Sequence, residues 1–152
     1  MPTIVARTFN LLGPGQTAGV SARLIRQVLQ IEQGLIPPFL VMGNQTIQRD
    51  FLDVRDAVEA YWSLIQLIPI PAGEIYNVCR GQAHSIETLV NILQKITRVP
   101  FQVRMDESLL RPGEPPIIQG DNTRLVRATG WKPNFSLKQS LLDAWKELRN
   151  QC

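Results

Sequence analysis

Histidine occurs once in these 152 residues and cysteine twice, so a zinc site would have almost no ligands to draw on. Cys79 lies in an apolar run and Cys152 at the last position, an arrangement that makes no disulfide framework. No apolar run approaches the roughly 18 residues that a membrane helix needs, and no signal-peptide pattern is visible. The chain therefore reads as cytosolic, with no membrane partner. A net charge of +3 is mild, and the basic residues are scattered, so no basic tract argues for nucleic acid. Repeats and low-complexity segments are also missing, so nothing marks a linker, and residues 1–152 read as one domain. What is present is a globular composition, 44% apolar and 19% charged, long enough to bury roughly two-thirds of its unfolded surface.

The apolar pattern alternates short strands with helices, which implies an α/β fold. Residues 3–9 form a short apolar run suited to a buried strand, followed by the loop Gly13-Pro14-Gly15-Gln16. A helix is predicted over 21–33, with Leu24, Val28, Ile31 and Leu35 on one face and Gly34 as its stop. Gly43-Asn44 is a turn signal, so residues 39–42 and 46–52 are expected to pair as a hairpin. Asp53 caps a helix whose apolar positions are Val54, Val58, Tyr61 and Ile65, ended by Pro69 and Pro71. A strand over 74–79 follows, then a helix capped by Ser85 and carrying Leu89, Ile92, Leu93 and Ile96. Another strand spans 99–105. Beyond a Pro-rich loop, Asp121 or Asn122 opens a short helix that Gly130 closes. Ser136-Leu137-Lys138-Gln139 is a capping box for a last helix with Leu137, Leu141, Trp145 and Leu148 as its stripe.

One residue breaks the pattern. In the strand through Ile47, Arg49 and Phe51, alternation puts a guanidinium among apolar side chains. Burying it is costly unless an anion meets it. A phosphate would serve, because the planar donor fork of arginine matches phosphate oxygens. A pair with Asp50 or Asp53, or an edge position where the side chain reaches water, would serve as well. The glycines at 13, 15 and 19 lie between strand and helix, as in a dinucleotide-binding turn, but their spacing is off by one residue. No acidic residue ends a second strand about 20 positions later, since Glu32 falls inside the helix. The loop reads better as a connector whose backbone lies near a ligand. His84, just before the Ser85 cap, is read as a loop residue without chemistry.

Residues Ala6-Arg7-Thr8-Phe9-Asn10-Leu11-Leu12-Gly13-Pro14-Gly15-Gln16 resemble the strand and loop that follow the catalytic helix in extended short-chain dehydrogenases. Ile31-Glu32-Gln33-Gly34, Pro37-Pro38, Gly43-Asn44 and the run from Arg49 to Asp56 are similar to the reductases of GDP-4-keto-6-deoxymannose, with GDP-mannose 4,6-dehydratases next. Arg111-Pro112-Gly113-Glu114, Gly120-Asp121 and Thr129-Gly130-Trp131-Lys132-Pro133 resemble the end of nucleotide-sugar epimerases, dehydratases and reductases. The resemblance runs from Thr3 to Leu148. It implies the C-terminal part of an extended Rossmann-type enzyme, a substrate-binding subdomain plus the last strands of a parallel sheet, lacking the N-terminal dinucleotide-binding half.

Enzymes of that family carry a Gly-rich fingerprint and a Tyr-x-x-x-Lys pair, the Tyr acting as acid/base while a nicotinamide carries hydride. Neither motif occurs here: Tyr61 is followed four positions on by Ile65, and Tyr76 by Arg80. The resemblance thus implies no catalytic residue in this chain. Asn10, Arg49 and Arg111 would bind the nucleotide sugar, both arginines on its diphosphate, and Leu24 with its helix neighbours would wall the base pocket. Phe9 would lie against the nicotinamide. The cofactor, NADP or NAD, belongs to the complete enzyme, and this chain alone would bind none. The expected ligand is a GDP-sugar and the expected assembly a homodimer. The alternative is a module that stands alone, binding nucleotide sugar or serving as a dimeric scaffold without catalysis.

Overall fold

The computed structural model describes residues 3–69, 72–97 and 99–151. Pro71 and Cys152, both singled out above, lie outside the described residues. The elements run β1 (Val5–Thr8), β2 (Asn10–Leu12), α1 (Gly19–Glu32), β3 (Phe39–Met42), β4 (Gln48–Asp53) and α2 (Val54–Ile65). Then follow β5 (Ile75–Val78), β6 (Ala83–Ser85), α3 (Ile86–Ile96), β7 (Gln102–Met105), a 3-10 turn at Glu107–Leu109, β8 (Ile117–Ile118), α4 (Thr123–Thr129) and α5 (Leu137–Gln151). The strand–helix alternation expected from the apolar pattern is present.

Pairing is mostly parallel. β1 lies beside β5, β2 beside β4, and β3 beside β7, while β4 also takes β8 in parallel and β6 antiparallel. The strand expected over 3–9 is present as the shorter β1, and a second strand, β2, follows Phe9 in a different sheet, which was not expected. The hairpin expected between 39–42 and 46–52 does not form. β3 pairs with β7 instead, and the turn at Asn44, whose Oδ1 accepts from Thr46 N (2.9 Å), leads the chain away from β3. Gly43 is needed for close approach rather than for a hairpin, since a Cβ there would meet the Leu109 carbonyl oxygen at 2.9 Å.

β4 sits between two apolar clusters. Because strand side chains alternate, Phe51 joins Leu12, Leu24, Val28, Leu40, Leu89, Leu93, Leu141 and Trp145 in the first. Its neighbour Leu52 joins Ala57, Ala60, Leu64, Tyr76, Val78, Leu125 and Trp131 in the second. Each fully buried leucine contributes about 1.5–3 kcal/mol relative to exposure. Local signals set the ends of the helices. Asp53 Oδ1 accepts from Arg55 N (2.9 Å), Ser85 Oγ from Thr88 N (3.1 Å) and Ser136 Oγ from Gln139 N (3.2 Å), and Gly130 ends α4 at φ +73°.

Two apolar stripes differ from expectation. α2 turns Ala57, Ala60 and Leu64 inward, while Val58, Trp62 and Ile65 are exposed by 63–69%. The small alanines let the helix lie close to β2 and β4, and the bulky residues are left on the outer side. Leu35, placed on the α1 face, is exposed beyond the helix end. No described helix is long and apolar enough to cross a membrane.

Candidate anion-binding cavity

At the C-terminal side of β3, where α1 begins, a cavity of about 450 Å³ is lined by Asn10, Gly19, Val20, Arg23, Arg49, Arg111 and Glu114, together with apolar side chains including Ile47 and Ile86. Its volume lies within the range of small-molecule sites. Asn10, Arg49 and Arg111, residues 101 positions apart at the extremes, are thus brought to one cavity. Asn10 opens β2 and its Nδ2 donates to the Asp50 carbonyl across the β2–β4 ladder (3.3 Å).

Arg49 is only 8% exposed. Its anionic partner in the protein is Glu114, not Asp50 or Asp53: Nη2 donates to Glu114 Oε1 at 2.8 Å, and Nη1 donates to the carbonyls of Gln48 (2.7 Å) and Pro115 (2.9 Å). The two aspartates are engaged elsewhere. Asp50, fully buried, accepts from the backbone N–H groups of Arg80, Gly81 and Gly120. Asp53 takes both the cap hydrogen bond and the Arg55 guanidinium. Burial opposes its ionisation, but the Arg55 and Ser140 hydrogen bonds outweigh it and hold its carboxyl below the usual range.

Arg111 and Glu114 are the two ends of one tight turn. Glu114 N donates to the Arg111 carbonyl (3.2 Å), and Gly113 between them has φ +74°. Proline second and a left-handed glycine third are the signature of a type II turn. The Arg111 guanidinium, unlike its carbonyl, makes no hydrogen bond or ion pair with the described residues, and it lines the cavity.

The remaining expected residues lie elsewhere. Leu24 is fully buried in the first cluster and off the cavity wall; it sits one turn, about 5.4 Å, deeper along α1 than Val20, which does line the wall. Phe9 is half-buried between β1 and β2, and a Cβ on Gly120 would come within 2.8 Å of its ring. His84 belongs to β6, opposite Arg49 in register, rather than to a loop. Tyr61 shares a hydrogen bond with Thr8 (2.6 Å), and Tyr76 is buried in the second cluster. The Cys79 thiol is pushed up to about 12 by burial, with Asp50 adding to the effect; it is no nucleophile at neutral pH. Arg23 and Glu114 are wall residues that pattern reading passed over. Arg23 carried a usable signal, because it lies four positions after Gly19 on the same side of α1.

The glycine-containing loop between β2 and α1 does not suit a dinucleotide pyrophosphate. Gly15 N–H donates to the Glu147 carboxylate, and a Cβ on Gly13 would meet Asp53 Oδ2 at 3.2 Å. An incoming anion would face two carboxylates there. The cavity behind the start of α1 has the opposite character: three arginines against one glutamate leave an excess of two positive charges.

Comparison with known proteins places the chain in a family. The family model for GDP-mannose 4,6 dehydratase matches residues 1–143. GDP-6-deoxy-D-mannose reductase of Pseudomonas aeruginosa is 40% identical over 139 residues, covering 91% of this chain and 45% of that protein. A UDP-N-acetyl-alpha-D-glucosaminuronate decarboxylase of Bacillus cytotoxicus is 30% identical, covering 99% and 48%. Among solved structures, RMD from Pseudomonas aeruginosa complexed with NADPH superposes with a TM-score of 0.89 at 37% identity, over 98% of this chain and 49% of the other. UDP-glucuronic acid 4-epimerase of Bacillus cereus, in complex with UDP-glucuronic acid and NAD, gives 0.86 over 100% and 46%, a likeness of fold at 23% identity. The chain spans about half the length of the curated relatives it matches. It belongs to the GDP-mannose 4,6 dehydratase family, within the Rossmann-type epimerase/dehydratase group of short-chain dehydrogenases/reductases.

Proposed function

We propose that this chain is the nucleotide-sugar-binding portion of an NAD(P)-dependent oxidoreductase that acts on a 4-keto-6-deoxy sugar nucleotide of the GDP-mannose type. The observation that carries this reading is the meeting of Arg49, Arg111 and Asn10 in one cavity whose excess of two positive charges equals the charge of an ionised diphosphate diester. Charge-assisted contacts from two guanidiniums would both hold and orient such an anion. A reductase reading is supported by the relative from Pseudomonas aeruginosa, whose name describes reduction of a GDP-6-deoxy sugar.

The nicotinamide cofactor, NADP or NAD, belongs in this reading to the complete enzyme, with Phe9 beside its ring. The described residues supply grip and orientation, not hydride or proton transfer. A cytoplasmic setting is supported by the free, buried Cys79, which suits a reducing compartment.

Calorimetric titration of the purified chain with GDP-mannose tests the proposal. Saturable binding is expected, weakened by about 1–3 kcal/mol in Arg49→Ala, as for a lost hydrogen bond to a charged group. Absence of binding to the parent chain, or unaltered binding by the variant, would overturn it. With NADPH and a GDP-4-keto-6-deoxy sugar added, no turnover is expected from the chain alone.

A further inference from the structure

We propose that Glu114 is a positioning residue for Arg49: its carboxylate fixes the guanidinium so that the donors left over meet a phosphate of a nucleoside-diphosphate ligand. The inference rests on the function proposed above and adds to it the residue that sets the arginine's aim.

A guanidinium has five N–H donors in a rigid fork. Both donors of Nη1 are taken by the Gln48 and Pro115 carbonyls, and one of Nη2 by Glu114 Oε1. The Nε donor and the second Nη2 donor are left, on a side chain that lines the cavity. Three fixed contacts leave the arginine little freedom to turn, so the entropy of ordering a long side chain is not charged to ligand binding.

The clamp is built into the fold. Glu114 and Pro115 are successive residues of one loop; the next residue, Pro116, accepts from Gln48 N (2.7 Å), and β8 then pairs alongside Gln48 and Arg49. Upstream, the Gly113 turn ties Glu114 to Arg111. One loop thus delivers a cation to the cavity and an anion to the cation already there.

Glu114 also meets a cost that Arg49 would otherwise incur. A guanidinium nine-tenths buried needs a counter-charge when no ligand is bound. Glu114 supplies it through a single oxygen, so the fork is not closed by a two-toothed carboxylate, as it would be if the glutamate blocked the site. A blocking role makes the opposite prediction, because removing a competitor tightens binding.

The experiment measures GDP-mannose affinity by calorimetry for the parent chain, Glu114→Gln, Glu114→Ala, Arg49→Ala and the two double variants, with thermal melts to verify folding. Glu114→Ala is expected to weaken binding by roughly tenfold, within the coupling seen for neighbours in one ion-pair network. Glu114→Gln retains an oxygen acceptor and should recover part of that loss. Neither change should matter once Arg49 is alanine. Glu114→Ala binding as tightly as the parent, or more tightly, overturns the proposal, as does an equal loss in the Arg49→Ala background. If Glu114→Ala fails to fold, the same comparison through Glu114→Gln decides. A parent chain that binds no GDP-mannose removes the functional reading as well, whereas a parent that binds while the glutamate variants are indifferent removes only this one.

Discussion

The Asp50 carboxylate accepts the Gly120 N–H at 3.2 Å across 70 residues of sequence, while the same group holds Arg80 N at 2.8 Å and Gly81 N at 2.9 Å. Three backbone donors from two segments therefore converge on one wholly buried side chain. This pins the chain that follows the Glu114 loop to the strand that carries Arg49. Asp50→Asn presents an NH2 group where only acceptors are wanted, and it should lower stability by about 3 kcal/mol. Urea unfolding monitored by circular dichroism measures this; a loss of unfolding free energy under about 0.5 kcal/mol would show that the knot is dispensable.

The turn that spaces Arg111 from Glu114 makes a separate prediction. Gly113 has φ +74°, yet nothing lies within 4 Å of the Cβ it would gain. Gly113→Ala is therefore a test of backbone strain without overlap, with an expected cost of about 1–2 kcal/mol. Because the turn carries two wall residues, GDP-mannose affinity should fall together with stability. Unchanged affinity in a destabilised variant would separate the turn from the site.

His84 should leave a mark on the pH dependence of folding. Burial and then the nearby Arg80 lower its pKa from the ordinary value, with Asp50 opposing. The unfolded chain then binds the proton more readily than the folded one, so stability rises with pH through this window. On acidification, stability should begin to fall near pH 6.5, the unfolded value, and the fall should level off below the folded pKa. As the one histidine in the chain, it can be removed cleanly. Unfolding free energies between pH 7.5 and 5.5 should slope for the parent and flatten for His84→Gln; equal slopes would assign the effect to other groups.

How far the sequence carried these features depends on the range of each interaction. Asp53, Ser85, Ser136 and Gly130 mark helix ends through contacts within three or four residues, and each was readable as written. Arg49 was readable as an anomaly, a charge on an apolar face, but its partner was not, because Glu114 lies 65 residues away and no local pattern links them. The hairpin failed for the same reason. Gly43-Asn44 is a sound turn signal, and only the distant strand at 102–105 decides that β3 pairs elsewhere. On α2, hydrophobicity favoured Val58 and Ile65, whereas close packing favoured Ala57 and Ala60. At the site, two arginines and an asparagine came from family resemblance, Arg23 carried a spacing signal that was passed over, and the contact of Glu114 with Arg49 needed coordinates.

The open side of β1 leads to a prediction about assembly. Val5 N donates to the Glu74 carbonyl (2.9 Å) and Phe9 N to the Val78 carbonyl (3.1 Å), so the odd-numbered residues face β5. Ala6 and Thr8 therefore direct their backbone groups to the other side, where no described strand pairs with them. Beside this edge Val5 and Ile75, opposite each other in register, are 48% and 40% exposed. Unpaired strand edges beside apolar surface recruit a further strand, and a two-fold symmetric pairing of β1 with its copy would satisfy both edges at once. The chain is accordingly expected to form a dimer in solution. Ala6→Pro removes one outward donor and leaves the Val5 and Phe9 hydrogen bonds to the β5 side in place, so it should shift the protein to monomer without unfolding it. Multi-angle light scattering over a concentration series reads both states. A parent chain that stays monomeric at high concentration, or a proline variant that dimerises as well as the parent, would rule out assembly through β1.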